Sequence, residues 1–405
     1  MTSSQLLVRP LAPSEMFYFR FGVYVGYSAQ VRGKLHQAAL SQAFEILRTA
    51  YPILSARLVL DHTSKPSIEA APELPAAIDE VAGPTDDPLF GLPDLNDRAS
   101  AIHTVLGSDD TATVTLLTHH AIADGHHSLH LLSELWNFYT ACVADAPTVP
   151  PRHDYPHSLE HLLEQRGIAT GPVVEPPDTD AFAAFVDADN LSSLPERIRI
   201  RLSATDTAAL LATGRNHGTT INGLVSAALL AATAQSRGVD IDTLHYTYPV
   251  DLRTRLSPRI GYPEGTNVLG MAYFVAAPRS DDDLLALARA VTGTLREGLA
   301  TGELFTWSAQ LMSTAAEGGF APAAEGGLSP LLVSTNWGVI PHLPTPADLV
   351  IEDFHPAMPN EPLSAVAPYV ITTYAGQLTI DAAADAPDTS RLIAEHLHNL
   401  AQLAH

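Results

Sequence analysis

Cysteine is nearly absent from this chain. Cys142 is the only one in 405 residues, so no intramolecular disulfide is possible and the usage fits a reducing compartment. Lysine is almost as scarce, with Lys34 and Lys65 alone, and 22 basic against 45 acidic residues leave a formal charge of −23. That surplus argues against a nucleic-acid binder or a protein held to anionic lipid by charge, while a local basic patch can still receive an acidic carrier protein. The opening MTSSQLLVRPLAP lacks the basic stretch followed by an apolar run that a signal peptide needs. The longest apolar run, Leu224 to Ala234, is only 11 residues and is interrupted by Ser226 and Thr233, well short of a membrane span. A cytoplasmic protein with no membrane span, and a monomer, is the expectation. No repeat is visible, and neither a Gly-x-Ser-x-Gly elbow nor a His-Glu-x-x-His pair occurs.

What is present is a globular composition, 46% apolar, at a length suited to two domains of roughly 200 residues each. Strands and helices intermingle in both halves. Phe17 to Val31 reads as one or two strands, Leu35 to Ala50 as an amphipathic helix, Leu54 to Leu60 as a strand, and the proline-rich, acidic stretch Ser64 to Leu95 as irregular surface. Ser100 to Leu106 and Thr111 to Leu117 form an antiparallel hairpin across the turn at Gly107-Ser108-Asp109-Asp110. A helix follows with Leu129, Leu132, Trp136, Tyr139 and Val143 on one face, and Ser158 caps a short helix to Gln165. GPVVEPPDTD from Gly171 to Asp180 is the best linker candidate, so the expected division is 1–175, a linker over 176–195, and 196–405. The second half reads as a strand at Arg197 to Leu202, helices from Ser203 and Thr219, and strands at Leu244 to Val250 and Met271 to Ala277. It continues with a helix from Asp281, a strand at Leu331 to Ser334, a hairpin around Ala375-Gly376 and a last helix from Thr389.

The chemistry concentrates between strand and helix, in Thr118-His119-His120-Ala121-Ile122-Ala123-Asp124-Gly125-His126-His127. A core strand ending at two histidines and turning through Asp-Gly into a helix holds side chains rigidly at the rim of a sheet, as a catalytic base requires. A metal site is the competing reading, because His126 and His130 lie at i and i+4 with His119, His120 and Asp124 nearby. A general base cannot also be tied to a metal, so no metal is expected. His126, His127 and His130 read instead as polar residues on a partly exposed helix.

The pattern His-His-x-x-x-Asp-Gly resembles that of the superfamily with the chloramphenicol-acetyltransferase fold, which includes condensation domains of nonribosomal peptide synthetases, wax ester synthases and plant BAHD acyltransferases. The likeness is closest to mycobacterial polyketide-associated acyltransferases that esterify phthiocerol-type diols with branched fatty acids. It extends over Arg9-Pro10-Leu11 to Glu15, AALSQAFEILRTAYPIL from Ala38, Gln165 to Ile168, YPVDLR from Tyr248 to Arg253, TNVLG from Thr266 to Gly270, and YAGQL from Tyr374. The implied fold is α/β, with two such domains of mixed sheets in one chain and the active-site channel between them.

The resemblance makes His120 the general base that takes the proton of an attacking hydroxyl, a task suited to a neutral imidazole. It implies that Asp124 points away from His120 and pairs with Arg253 to fix the loop, that His119 is structural, and that Gly125 serves the turn. Ser334, Thr335 and Asn336 fall where relatives place a channel strand, and their hydroxyls or amide are candidate oxyanion donors; a strand end followed by a loop with Trp337 in the core is the alternative. Asn267 is a further candidate for substrate binding, and Arg255 and Arg259 for donor phosphate against plain surface solvation. The expected function is an acyltransferase acting directly from an acyl-carrier-protein, polyketide synthase carrier-domain or coenzyme A thioester to the hydroxyl of a hydrophobic lipid or polyketide alcohol. No cofactor is expected beyond that phosphopantetheine or coenzyme A thioester as co-substrate. An amide-forming condensation-type enzyme and a non-catalytic carrier-docking module are the alternatives, the second disfavoured by the joint presence of His120, Asp124 and Arg253.

Overall fold

The computed structural model describes residues 7–404 apart from 62, 147–148, 170–196, 280, 282, 306–330, 359–367 and 384–387. The expected linker at 176–195 lies outside the described residues. The first part of the chain builds β1 (Leu7–Pro10), α1 (Pro13–Arg20), β2 (Tyr24–Gly33), α2 (Gln37–Ala50), β3 (Ala56–Leu60), β4 (Pro66–Ala70) and β5 (Ile78–Ala82). β6 (Ser100–Leu106), β7 (Thr111–His119), α3 (Gly125–Val143) and α4 (Leu159–Glu164) follow. After these come β8 (Arg197–Arg201), α5 (Ala204–Asn216), α6 (Ile221–Arg237), β9 (His245–Asp251), β10 (Leu269–Val275), α7 (Leu284–Thr301) and β11 (Leu331–Val339). The last elements are β12 (Leu349–Ala357), β13 (Tyr369–Tyr374), β14 (Gln377–Ala383) and α8 (Thr389–Ala401). No helix among the described residues is long and apolar enough to cross a membrane.

Contacts divide the chain into two compact units, one of Met1–Thr170, Asp251–Val268 and Pro341–Asn360, the other of Gly171–Val250, Leu269–Ile340 and Glu361–His405. The two short segments 251–268 and 341–360, placed in the C-terminal half by sequence boundaries, thus pack with the N-terminal residues. Their reasons are local: Arg253 meets a buried carboxylate of the first unit, and β12 pairs antiparallel with β2 from Leu349↔Gly33 to Ala357↔Gly26.

In the first unit a five-stranded sheet has the order β12-β2-β7-β6-β5, beside a three-stranded sheet β1-β4-β3. β7 is central and buried along nearly its whole length, which is why TATVTLLTH reads as a run of β-branched and apolar residues rather than an alternation. α2 and α3 pack together, α2 burying Leu40, Phe44 and Leu47 and α3 burying Leu132, Leu135, Trp136 and Tyr139. Each such fully buried side chain contributes about 1.5–3 kcal/mol. The second unit carries a six-stranded sheet of order β10-β9-β11-β13-β14-β8, parallel across β9, β11 and β13 and antiparallel through β14 to β8. Over it α6 is buried from Gly223 to Ala234, as expected of a helix apolar on every side, and α7 and α8 flank it.

Three expectations need correction. Phe17 to Arg20 belongs to a helix, α1, although Phe17, Tyr18 and Phe19 favour strand locally. Pro13 occupies its first turn and the Glu15 carboxylate accepts the Ala12 N–H at 2.8 Å, a start signal strong enough to override propensity. The stretch Ser64 to Leu95 is not wholly irregular, since it contains β4 and β5; Pro66 is tolerated as the first residue of its strand. β11 continues past Ser334 to Val339, paired with β13 from Ser334↔Tyr369 to Val339↔Thr373, so Ser334 to Gly338 is strand rather than loop. The sequence of β12 carries no strand signal, its pattern being broken by Glu352, Asp353 and Pro356.

Candidate active site

β7 delivers the two histidines to different surroundings. His119, the last strand residue, pairs with Tyr24 of β2, meets its ring edge-on at 4.8 Å and 75°, and accepts the Ala121 N–H at Nδ1. Burial, followed by the neighbouring His120, pushes its pKa down to about 3. His120 has left the strand. Its N–H donates to the Val23 carbonyl at 2.7 Å, and its ring stacks on Tyr18 with centroids 3.9 Å apart and planes within 3°. Nδ1 lies 3.0 Å from Oδ1 of Asn267, whose Nδ2 donates to the His120 carbonyl at 2.8 Å. The ring stays half-buried, and burial moves its pKa below the ordinary imidazole value, only partly offset by a backbone hydrogen bond, Asp124 and Asn267. His120 is therefore neutral at pH 7.

Asp124 is fully buried and makes no contact with the imidazole through a hydrogen bond. It caps α3, Oδ1 accepting the His127 N–H at 3.0 Å. Oδ2 accepts Nη1 of Arg253 at 2.7 Å and the Val268 N–H at 2.9 Å, while the Asp124 N–H donates to the Thr266 carbonyl at 2.9 Å. Burial alone would raise the carboxyl's pKa; the Arg253 guanidinium and these donors outweigh it and hold the group below the usual carboxylate range. Arg253 is only 2% exposed and also reaches Oδ1 of Asp251 at 3.1 Å. Gly125 opens α3 and is not among the residues with positive φ, so its backbone needs no left-handed conformation.

Glu15 and Thr266 lie in the stretches that carry the resemblance, but the sequence gives no role to them or to Tyr18. Glu15 is fully buried, forms a bidentate pair with Arg9 at 2.7 and 2.6 Å, and accepts the Thr266 hydroxyl at 2.6 Å. The Pro-x-Glu spacing at the head of α1 was the available signal for it, whereas nothing local to Tyr18 or Thr266 marks them. His127 is buried rather than on an exposed face. His130 turns to the Tyr51 hydroxyl at 3.0 Å and stacks on Tyr262. Among the described residues no three His, Cys, Asp or Glu side chains are grouped to hold a metal ion. Arg255 and Arg259 are exposed.

Ser334, Thr335 and Asn336 belong to the second unit. Ser334 is buried, its Oγ 2.6 Å from the Tyr246 hydroxyl, which in turn meets Ser226 at 2.8 Å. Asn336 accepts the Gly338 N–H at 2.8 Å and donates to Oδ1 of Asn222 at 3.1 Å. Both polar groups are thus engaged within their own unit, and Trp337 is buried.

The paired histidines predict acid sensitivity. His127, like His119, is held near a pKa of about 3, by burial first and then by Arg253. Both folded values lie below the unfolded one, so this share of stability is complete above about pH 6.5 and is lost as pH falls towards 3. Each contributes about 1.4 kcal/mol per pH unit inside that window. Moving from about pH 7 to about pH 5.5 should therefore lower the unfolding free energy by roughly 2–3 kcal/mol, read from urea midpoints. A stability flat across that interval contradicts neutral burial of the pair.

A family model for the phthiocerol/phthiodiolone dimycocerosyl transferase C-terminus matches residues 191–383. The phthiocerol/phthiodiolone dimycocerosyl transferase of Mycobacterium tuberculosis is 31% identical over 398 residues, covering 93% of this chain and 92% of that protein. The solved structure of polyketide synthase associated protein 5 from Mycobacterium tuberculosis aligns with a TM-score of 0.77 at 29% identity, covering 98% of each chain. The first condensation domain of the calcium-dependent antibiotic synthetase aligns with a TM-score of 0.65 at 16% identity, over 98% of this chain and 97% of that one, a likeness of fold alone. Mixed sheets clothed by helices, with His-His-x-x-x-Asp-Gly closing a central strand, define the class as an O-acyltransferase of condensation-domain-like fold. Within that class, the chain belongs to the phthiocerol/phthiodiolone dimycocerosyl transferase family.

Proposed function

We propose that the protein moves an acyl group from a carrier-protein or coenzyme A thioester to the hydroxyl of a hydrophobic polyketide or lipid alcohol, with His120 as general base. The observation that carries this reading is the imidazole of His120, partly buried, stacked on Tyr18 and held at one nitrogen by Asn267, with burial lowering its pKa and favouring the neutral form. A base whose pKa lies at or below the operating pH is in its competent form before substrate arrives. Nε2 takes the hydroxyl proton as the alcohol oxygen bonds to the thioester carbonyl carbon. The tetrahedral intermediate then collapses, the carbon–sulfur bond breaks, and the imidazolium returns the proton to the departing sulfur. The atoms balance without acylation of the protein. The relatives' name specifies phthiocerol or phthiodiolone as acceptor and mycocerosyl as acyl group; for this chain we assign the class, a bulky apolar alcohol and a fatty acyl thioester.

Incubation with a radiolabelled acyl thioester and no acceptor, followed by denaturation, should leave no stoichiometric label on the protein, and adding a long-chain alcohol should then yield labelled ester. Label retained on the chain would exclude direct transfer. An amine of matched length accepted faster than the alcohol would move the assignment to amide formation.

A further inference from the structure

We infer that Asn267 is a positioning residue that sets the tautomer of His120, placing the proton on Nδ1 and leaving Nε2 bare as the base; the inference rests on the general-base reading above. The two ends of one amide fix the tautomer. The main-chain carbonyl of His120, 2.8 Å from Nδ2 of Asn267, can accept but not donate, so the NH₂ end must face it. The other end, Oδ1, is then the atom 3.0 Å from the His120 Nδ1, and it too can only accept. Nδ1 must therefore carry the hydrogen. Turning the amide over would set oxygen against carbonyl oxygen and forfeit that bond, which fixes the orientation by chemistry rather than by assignment. A neutral imidazole has one N–H, so the lone pair is left on Nε2.

His119 supplies the contrast one residue away. Its Nδ1 accepts the Ala121 N–H, so its proton sits on Nε2. Adjacent histidines thus hold opposite tautomers, and for His120 a hydrogen bond from the ring to its own main chain acts alongside Asn267.

Asn267 is itself held from both sides. Thr266 gives its hydroxyl proton to the Glu15 carboxylate and receives the Asp124 N–H at its carbonyl. Val268 donates its N–H to Oδ2 of Asp124, and its carbonyl accepts from Leu252. Asp124 therefore acts on the position of the base through the backbone on either side of Asn267, with no hydrogen bond to the ring.

The test is nitrogen NMR of the full chain labelled with ¹⁵N-histidine, the His120 signals being those absent from His120→Gln. In the unaltered protein above pH 7, His120 should show a protonated Nδ1 and a bare Nε2, with His119 the reverse. Asn267→Leu, close in size but unable to accept, should move His120 toward the Nε2–H form and lower kcat about 10²-fold with KM within about two-fold. Asn267→Asp keeps an acceptor at Nδ1, so it should retain the tautomer, recover part of kcat, and raise the acid-side midpoint of the pH profile, a shift that a merely structural residue would not produce. A folded Asn267→Leu with an unchanged His120 tautomer overturns the inference; so does Asn267→Asp with the Nε2–H form. Either result leaves the base reading to be judged by His120 variants alone.

Discussion

Alanine at position 120 should lower kcat by about 10²–10⁴-fold, the worth of a positioned general base, with KM for the thioester nearly unchanged. Little stability is at stake, because the imidazole is not fully buried and its losses are chiefly one hydrogen bond to Asn267 and one stacking face on Tyr18. Those together amount to about 1–2 kcal/mol. The unaltered enzyme should titrate in a direction set by burial, which lowers the His120 pKa from its ordinary value of 6.5. The neutral, active form persists as pH falls to about 6.5 and is lost only below it, so kcat/KM should be level from about pH 7 upward with its acid-side midpoint under 6.5. A midpoint above 7, or near-normal turnover by His120→Ala with intact circular dichroism, would sink the mechanism.

The motif and its strand were legible because both depend on near neighbours. β-branched residues in Thr111–His119, the turn before them and the helical spacing from Leu129 onward are signals within one or two turns of chain. The hairpin of β13 and β14 was equally local, with Ala375 and Gly376 both at positive φ as a two-residue turn requires. What escaped is long-range. Tyr18 reaches His120 across about a hundred residues, Thr266 reaches Glu15 across 251, and Asn267 meets His120 across 147. None of these pairs leaves a trace in spacing, so Asn267 and Glu15 were readable only as polar residues in family motifs. The Asp124–Arg253 pair is just as distant, 129 residues, and it came from resemblance alone. α1 misled because three aromatics outvoted Pro13 and Glu15 in a window too short to show helical periodicity. β12 is hidden by Glu352, Asp353 and Pro356, which break the apolar alternation that marks a strand.

Removing either member of the Asp124–Arg253 pair should destabilise the protein by about 3–5 kcal/mol, since loss of Arg253 leaves the Asp124 carboxylate buried without a counter-charge and loss of Asp124 leaves the buried Arg253 only the partly exposed Asp251. Asp124→Ala also strips the cap of α3 and the acceptor of the Val268 N–H, which puts it at the upper end. Arg253→Met strands the carboxylate of Asp124, whereas Asp251, 3.1 Å from Arg253, is itself partly exposed and keeps access to water. The double variant has no stranded charge, so its cost should fall short of the sum by about 1–3 kcal/mol, measured from urea unfolding at unchanged m. Additivity within about 0.5 kcal/mol would show that the two are not energetically coupled. The same variants separate two roles for the carboxylate. Were Asp124 to orient the imidazole as in a serine-protease triad, Asp124→Asn would cut kcat and spare stability. Both of its oxygens are instead taken by Arg253, His127 and Val268, so Asp124→Asn should lose stability first, with kcat falling only as far as the flanks of Asn267 loosen. The His120 tautomer in ¹⁵N spectra would report that loosening directly: a kcat loss with stability, and the Nδ1–H form, fully retained would restore the triad reading.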